Sequence, residues 1–120
     1  MFIKIKNYQY EIIEVDNTDK DFYVDNDLKL YGQTNYENQV IKLYKNLSYA
    51  RKRETLIHEL THAFFDVYLG SYHIKDKFDE EDICHFMGAY AEKILKIVDK
   101  YFESTGGVRN VYITQEYEDN

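Results

Sequence analysis

Apolar and polar residues alternate through the first third of this chain and then recur at helical spacing. Phe2, Ile3 and Ile5, followed by Tyr8, Tyr10, Ile12, Ile13 and Val15, form two β-type runs separated around Lys6-Asn7. They predict an opening hairpin, because successive side chains of a strand face opposite sides. Residues 16–27, DNTDKDFYVDND, are dense in Asp and Asn and read as a turn-rich connection. LKLYGQTNY and QVIKLYKN, on either side of Glu37-Asn38, predict a second hairpin whose later strand carries Val40, Ile41 and Leu43. These pieces predict a small antiparallel sheet.

Helical punctuation follows. Ser48 is a good N-cap and Gly70 a good C-terminal stop, which predicts a helix from Ser48 to about Leu69. A second helix is expected from Asp79 to about Phe102, its acidic first turn (Asp79, Glu80, Glu81, Asp82) suiting the positive end of the helix dipole. Its inward stripe is expected to be Ile83, Phe86, Met87, Tyr90, Ile94 and Val98. Residues 108–120, VRNVYITQEYEDN, read as either a last short strand or a loose acidic tail. Without a repeat or a linker-like segment, the expectation is one domain over 1–120: an α+β fold with a small antiparallel sheet packed on two long helices.

Composition narrows the class. A chain of 120 residues, 44% hydrophobic, is the size of one compact domain. Its 13 tyrosines and 7 phenylalanines, without tryptophan or proline, predict a core filled largely by aromatic rings. A net charge of −7 disfavours nucleic acid as a partner, and the one basic cluster, Arg51-Lys52-Arg53, reads as a solvated helix start. Cys84 stands alone, so no intramolecular disulfide is expected and a reducing compartment is the simpler setting; its own reading is a small buried hydrophobe. The opening residues lack the continuous apolar run of a secretory signal, and no run approaches the roughly 20 apolar residues that span a bilayer. A cytoplasmic protein with no membrane partner is expected.

The first helix carries the chemistry. His58-Glu59-Leu60-Thr61-His62 places two imidazoles at i and i+4, about 40° apart around the axis, so both can turn a nitrogen toward one ion. Glu59, about 100° around from His58, stands where a general base for an activated water belongs. Leu56, Leu60, Phe64 and Val67 form one apolar stripe, and Phe65 and Leu69 lie below the histidine face. The helix therefore reads as buried on both sides, with the histidines facing the interior, where a metal would satisfy both. The competing reading is a pair of satisfied core histidines; chance alone yields the motif in about one shuffled chain in a hundred.

Catalytic zinc usually takes three protein ligands and leaves a fourth position to water. Downstream donors are His73, Asp79, Glu80, Glu81, Asp82 and His85. Counting back along the second helix puts Asp79 and Glu80 over the inward stripe, Asp82 at its edge, and Glu81 and His85 away from it. Glu80 is the geometric favourite; Glu81 stays a candidate because an irregular first turn would swing it inward. Tyr72, Tyr90 and Tyr101 are candidate donors to a developing oxyanion.

Three stretches together carry a resemblance: the strand QVIKLYKNL, the segment RKRETLIHELTHAF, and FDEEDICHFMGAYAEKI. Over roughly residues 28 to 98 the chain resembles a minimal zincin, and specifically the ImmA/IrrE-like metallopeptidases and related small phage-type proteins. The resemblance implies zinc held by His58 and His62 with an acidic third ligand from the second helix, Glu80 or Glu81. It also implies Glu59 as general base in hydrolysis of a peptide bond of an intracellular protein, and an origin in a phage or mobile element. The alternative it leaves is a zincin-fold binding or regulatory module without turnover. A strand around Val40 to Leu43, if it is a sheet edge beside the cleft, would hold an extended peptide by strand addition.

Overall fold

The computed structural model describes residues 1–24, 27–70 and 78–105. Both expected hairpins form: β1 (Phe2–Ile5) pairs antiparallel with β2 (Tyr8–Val15), and β5 (Gly32–Asn35) pairs antiparallel with β6 (Val40–Tyr44). Lys6 and Gln39 take positive φ angles, 55° and 57°, at the ends of the two turns. A short ladder, β3 (Tyr23–Val24) with β4 (Asp27–Leu28), stands in the Asp- and Asn-rich connection.

The two hairpins are joined by a parallel pairing, with Glu11 opposite Val40 and Val15 opposite Tyr44. The strand order is β1-β2-β6-β5, a mixed sheet in which β6 is interior and β5 is an edge. Alternation decides the buried face. Ile3, Ile5, Tyr10, Ile12, Ile41 and Leu43 all point inward.

That face is covered by helix α1 (Tyr49–Leu69), and helix α2 (Glu80–Ser104) packs against α1. Ser48 Oγ accepts the Arg51 amide at 3.2 Å, and Gly70, at φ 65°, ends α1 in a conformation costly for any side chain. Asp79 caps α2 through a reciprocal pair of bonds with Asp82. Leu56, Leu60, Ala63 and Phe64 of α1 are at most 2% exposed, and burying each larger side chain contributes about 1.5–3 kcal/mol. Between the helices, Phe65 stacks on Phe86 at 4.0 Å and Tyr68 on Tyr90 at 4.4 Å. The aromatic composition is spent here, on the seam between α1 and α2.

Several local expectations change. Ile83 and Met87 are 49% and 52% exposed, because the early turns of α2 meet the core through Phe86 alone; the buried stripe is Phe86, Ile94, Val98, Tyr101 and Phe102. Cys84 is likewise exposed, not buried. The basic cluster is more than a solvated start: Lys52 Nζ reaches Glu14 at 2.8 Å and Arg53 reaches Asp99 at 3.0 Å. Tyr101 donates its phenolic proton to the other oxygen of Glu14, so one carboxylate of β2 ties both helices to the sheet. The strand-or-tail reading of 108–120 lies outside the described residues. No helix among them is long and apolar enough to cross a membrane.

Two core tyrosines give the fold a pH limit. Burial, and then the nearby charge of Asp66, pushes the Tyr10 phenol up to about 12, and burial followed by the Glu14 bond raises Tyr101 as well. An unfolded phenol titrates near about 10, so this contribution is complete below about pH 10 and is lost as pH rises through the folded value. Urea midpoints measured from about pH 8 to about pH 11.5 are expected to stay level and then fall above about pH 10. Tyr10→Phe is expected to make that alkaline fall shallower.

Candidate metal centre

Helix α1 divides its side chains by angle. Leu60 points into the core, Glu59 is 7% exposed at the margin of the sheet, and the His58 side chain is 67% exposed. The histidines therefore face outward, contrary to the interior orientation expected from the apolar flanks. Phe65 stacks on Phe86 at the α1–α2 seam and Leu69 packs against the core, while His58 and His62 stay exposed. An outward pair needs no metal to avoid a burial penalty, but it is accessible to an ion.

The two Nε2 atoms stand 3.2 Å apart, with the ring planes at 75°. Two nitrogens bound to one tetrahedral zinc at about 2.0–2.1 Å are themselves separated by about 3.3 Å. The imidazole pair thus fits the donor separation that zinc requires. A neutral pair at this distance is joined by one N–H···N bond, whose direction the tautomer sets.

Glu59 is held from below. The Thr34 hydroxyl of β5 lies 2.8 Å from Glu59 Oε1 and 3.1 Å from the Glu59 carbonyl oxygen, and it can donate to either. Oε2 is left 4.0 Å from His58 Nε2. Gly32, two residues earlier on the same strand, is pressed onto the helix: a Cβ there would stand 2.6 Å from Thr55 Cγ2 and 2.9 Å from Glu59 Cγ. Only a residue without a side chain lets the strand approach this closely. A carboxylate fixed on one oxygen, with the other turned toward His58, is suited to take a proton at Glu59 Oε2.

Beside this carboxylate lies a cleft of about 280 Å³, lined by Lys29, Leu30, Tyr31, Gly32, Arg51, Glu54, Thr55, His58 and Glu59. The Arg51 guanidinium sits over the Tyr31 ring, 4.9 Å from its centre. The edge strand beside the site is β5, not the strand around Val40 to Leu43, which is paired on both sides.

Glu80 and Glu81 stand in the exposed first turn of α2, and Glu81 makes only a solvent-exposed pair with His85 at 3.6 Å. Among the described residues, no group of three or more His, Cys, Asp or Glu side chains gathers to hold an ion. Asp79 and Asp82 are engaged in the cap. Tyr101 is committed to Glu14, and Tyr90 to its stack with Tyr68. Tyr72 and His73 lie outside the described residues.

Sequence reasoning passed over Thr34, Gly32 and Tyr36. Burial, and then the charges of Asp66 and Glu59, raises the Tyr36 phenol, so this ring shares the field of the same carboxylates. The signal that points to Gly32 is a glycine inside a strand pattern, a mark of close backbone approach.

Comparison with known proteins assigns the class. The sequence profile of the peptidase M78 family, IrrE N-terminal-like domain, matches residues 10–91, and the chain belongs to that family. The matched span begins in β2, includes the edge strand and all of α1, and ends within α2. No curated protein and no solved structure matches the chain.

The grip on Glu59 is directly testable. Thr34→Val leaves a buried carboxylate oxygen without its donor and is expected to cost about 1–2 kcal/mol, while Thr34→Ser stays close to the parent. Gly32→Ala is expected to cost about 1–3 kcal/mol by forcing β5 off the helix. Chemical denaturation of the four proteins measures both; an unchanged midpoint in Thr34→Val would refute the bond.

Proposed function

We propose that the chain is a zinc-dependent peptidase acting on an intracellular protein. His58 and His62 hold the ion, with one carboxylate of Glu80 or Glu81 completing the donor set. The observation that carries this reading is a pair of Nε2 atoms 3.2 Å apart beside a carboxylate gripped on one oxygen. Family membership supports the reaction class. The phage or mobile-element setting, and the extent of 1–120 as one zincin-like domain, rest on the resemblance of the motif segments.

Zinc, when bound, supplies a Lewis acid that polarises a carbonyl and brings the acidity of water toward neutral pH. The chain's own residues do the rest. Thr34 holds Glu59 Oε1, which orients Oε2 to accept a proton from water and to return it to the leaving amine. Strand β5 offers unpaired backbone groups along its outer edge, to which an extended peptide can add as a further strand. Tyr36, a half-exposed phenol on the turn after β5 that feels the charges of Asp66 and Glu59, is a candidate donor to a developing oxyanion. Glu80 and Glu81 fit the third position chemically because neither is consumed by the α2 cap.

Zinc content by elemental analysis and hydrolysis of a proteome-derived peptide library test this together. About one zinc per chain is expected, lost in His58→Ala and in His62→Ala. Glu59→Gln is expected to retain the zinc and to lose at least about a hundredfold in hydrolysis. Zinc retained and hydrolysis lost in Glu59→Gln supports the peptidase; equal hydrolysis in that variant overturns it. Zinc bound by a parent that cuts nothing indicates the binding-module alternative.

A further inference from the structure

The cleft beside Glu59 has a charge arrangement that the hydrolytic reading does not use. Among the described residues, Lys42, Lys52 and Arg53 are each tied to a carboxylate, whereas Arg51 and Lys29, like several surface lysines, are tied to none. In a chain of net charge −7, two cations without carboxylate partners, Lys29 before β5 and Arg51 on α1, line the cleft beside His58 and Glu59.

Arg51 is also preorganised. Its guanidinium is supported on the Tyr31 ring at 4.9 Å, which restrains the side chain while leaving the N–H edge free for a planar partner. Tyr31 immediately precedes Gly32, the residue packed on Glu59. At a rise of about 3.3 Å per residue, a peptide added along β5 brings a side chain about one or two residues from the reacting bond up to Arg51. Glu54 also lines the cleft and offsets part of the positive charge. Selection therefore falls to the directed, two-pronged bonding of a guanidinium with a carboxylate, rather than to net charge.

We propose that this cleft reads an acidic side chain, Asp or Glu, of an extended peptide substrate close to the cleaved bond, with Arg51 as its partner and Lys29 as a second cation. The proposal rests on the peptidase reading above. Arg51 is a specificity residue here and takes no part in the chemistry.

Two measurements test it. In the first, the zinc-loaded chain digests a proteome-derived peptide library. Asp and Glu are expected to be enriched within two residues of the cut, with the enrichment falling about tenfold in Arg51→Ala and shifting toward Lys and Arg in Arg51→Glu. Cleavage without acidic enrichment, or a profile that Arg51→Glu leaves unchanged, overturns the proposal. In the second, fluorescein-labelled eight-residue peptides of alternating Ala and Asp, or Ala and Asn, are titrated with the Glu59→Gln protein and read by anisotropy. The Asp peptide is expected to bind about tenfold tighter. Arg51→Ala is expected to erase the difference, and Lys96→Ala, on an exposed position of α2, to leave it. Equal binding of the two peptides overturns the proposal. An uncut library with Arg51-dependent preference for the Asp peptide removes the peptidase reading and keeps the acidic site; cleavage without that preference does the reverse.

Discussion

The site depends on how closely one edge strand approaches one helix. Gly32 lies so near Thr55 and Glu59 that even a methyl group there would overlap them. Because the strand can come in that far, Thr34 reaches both the carboxylate and the carbonyl of Glu59, and the cleft beside the histidines acquires a floor. A side chain at position 32 would push β5 outward and release the carboxylate, leaving the helix motif intact but without its grip. The motif's chemistry is thus set as much by a glycine outside it as by its own five residues.

Helix α1 then separates holding from reacting groups through its angular step of about 100° per residue. Leu60 anchors the helix in the core, Glu59 meets the strand, and His58 and His62 share the open face. The carboxylate is fixed by a neighbour while the imidazoles are free to accept one. Glu14, joined to Lys52 and Tyr101, performs a comparable tie two strands away in the same sheet, where it secures α1 and α2 to β2.

Local signals were legible where local physics decides. Ser48, Gly70 and Asp79 marked the helix ends within a residue, and the alternating runs gave both hairpins, since capping and turn chemistry act over a few neighbouring residues. The i, i+4 histidine pair was legible for the same reason. What the sequence concealed depends on contacts between distant segments. The parallel β2–β6 seam, the outward turn of the histidines and the exposure of Ile83 and Met87 follow from which elements cover which faces, and periodicity along one element carries no information on that. Thr34 was hidden because its role needs a strand and a helix 25 positions apart to meet.

The parallel seam has a consequence for how the chain reaches this structure. Each hairpin closes through a short turn and can form early, but the pairing of Glu11 with Val40 must close a loop that includes the Asp- and Asn-rich connection and the whole of β5. That closure has the higher entropic cost, and it is repaid only when α1 arrives to cover the inner face of the completed sheet. The cleft takes one side from residues 29–32 and the other from α1, so it exists only in molecules in which these distant segments have met. Nascent or partly folded chains would carry the HELTH sequence without a gripped Glu59, and any activity of the site is tied to complete folding.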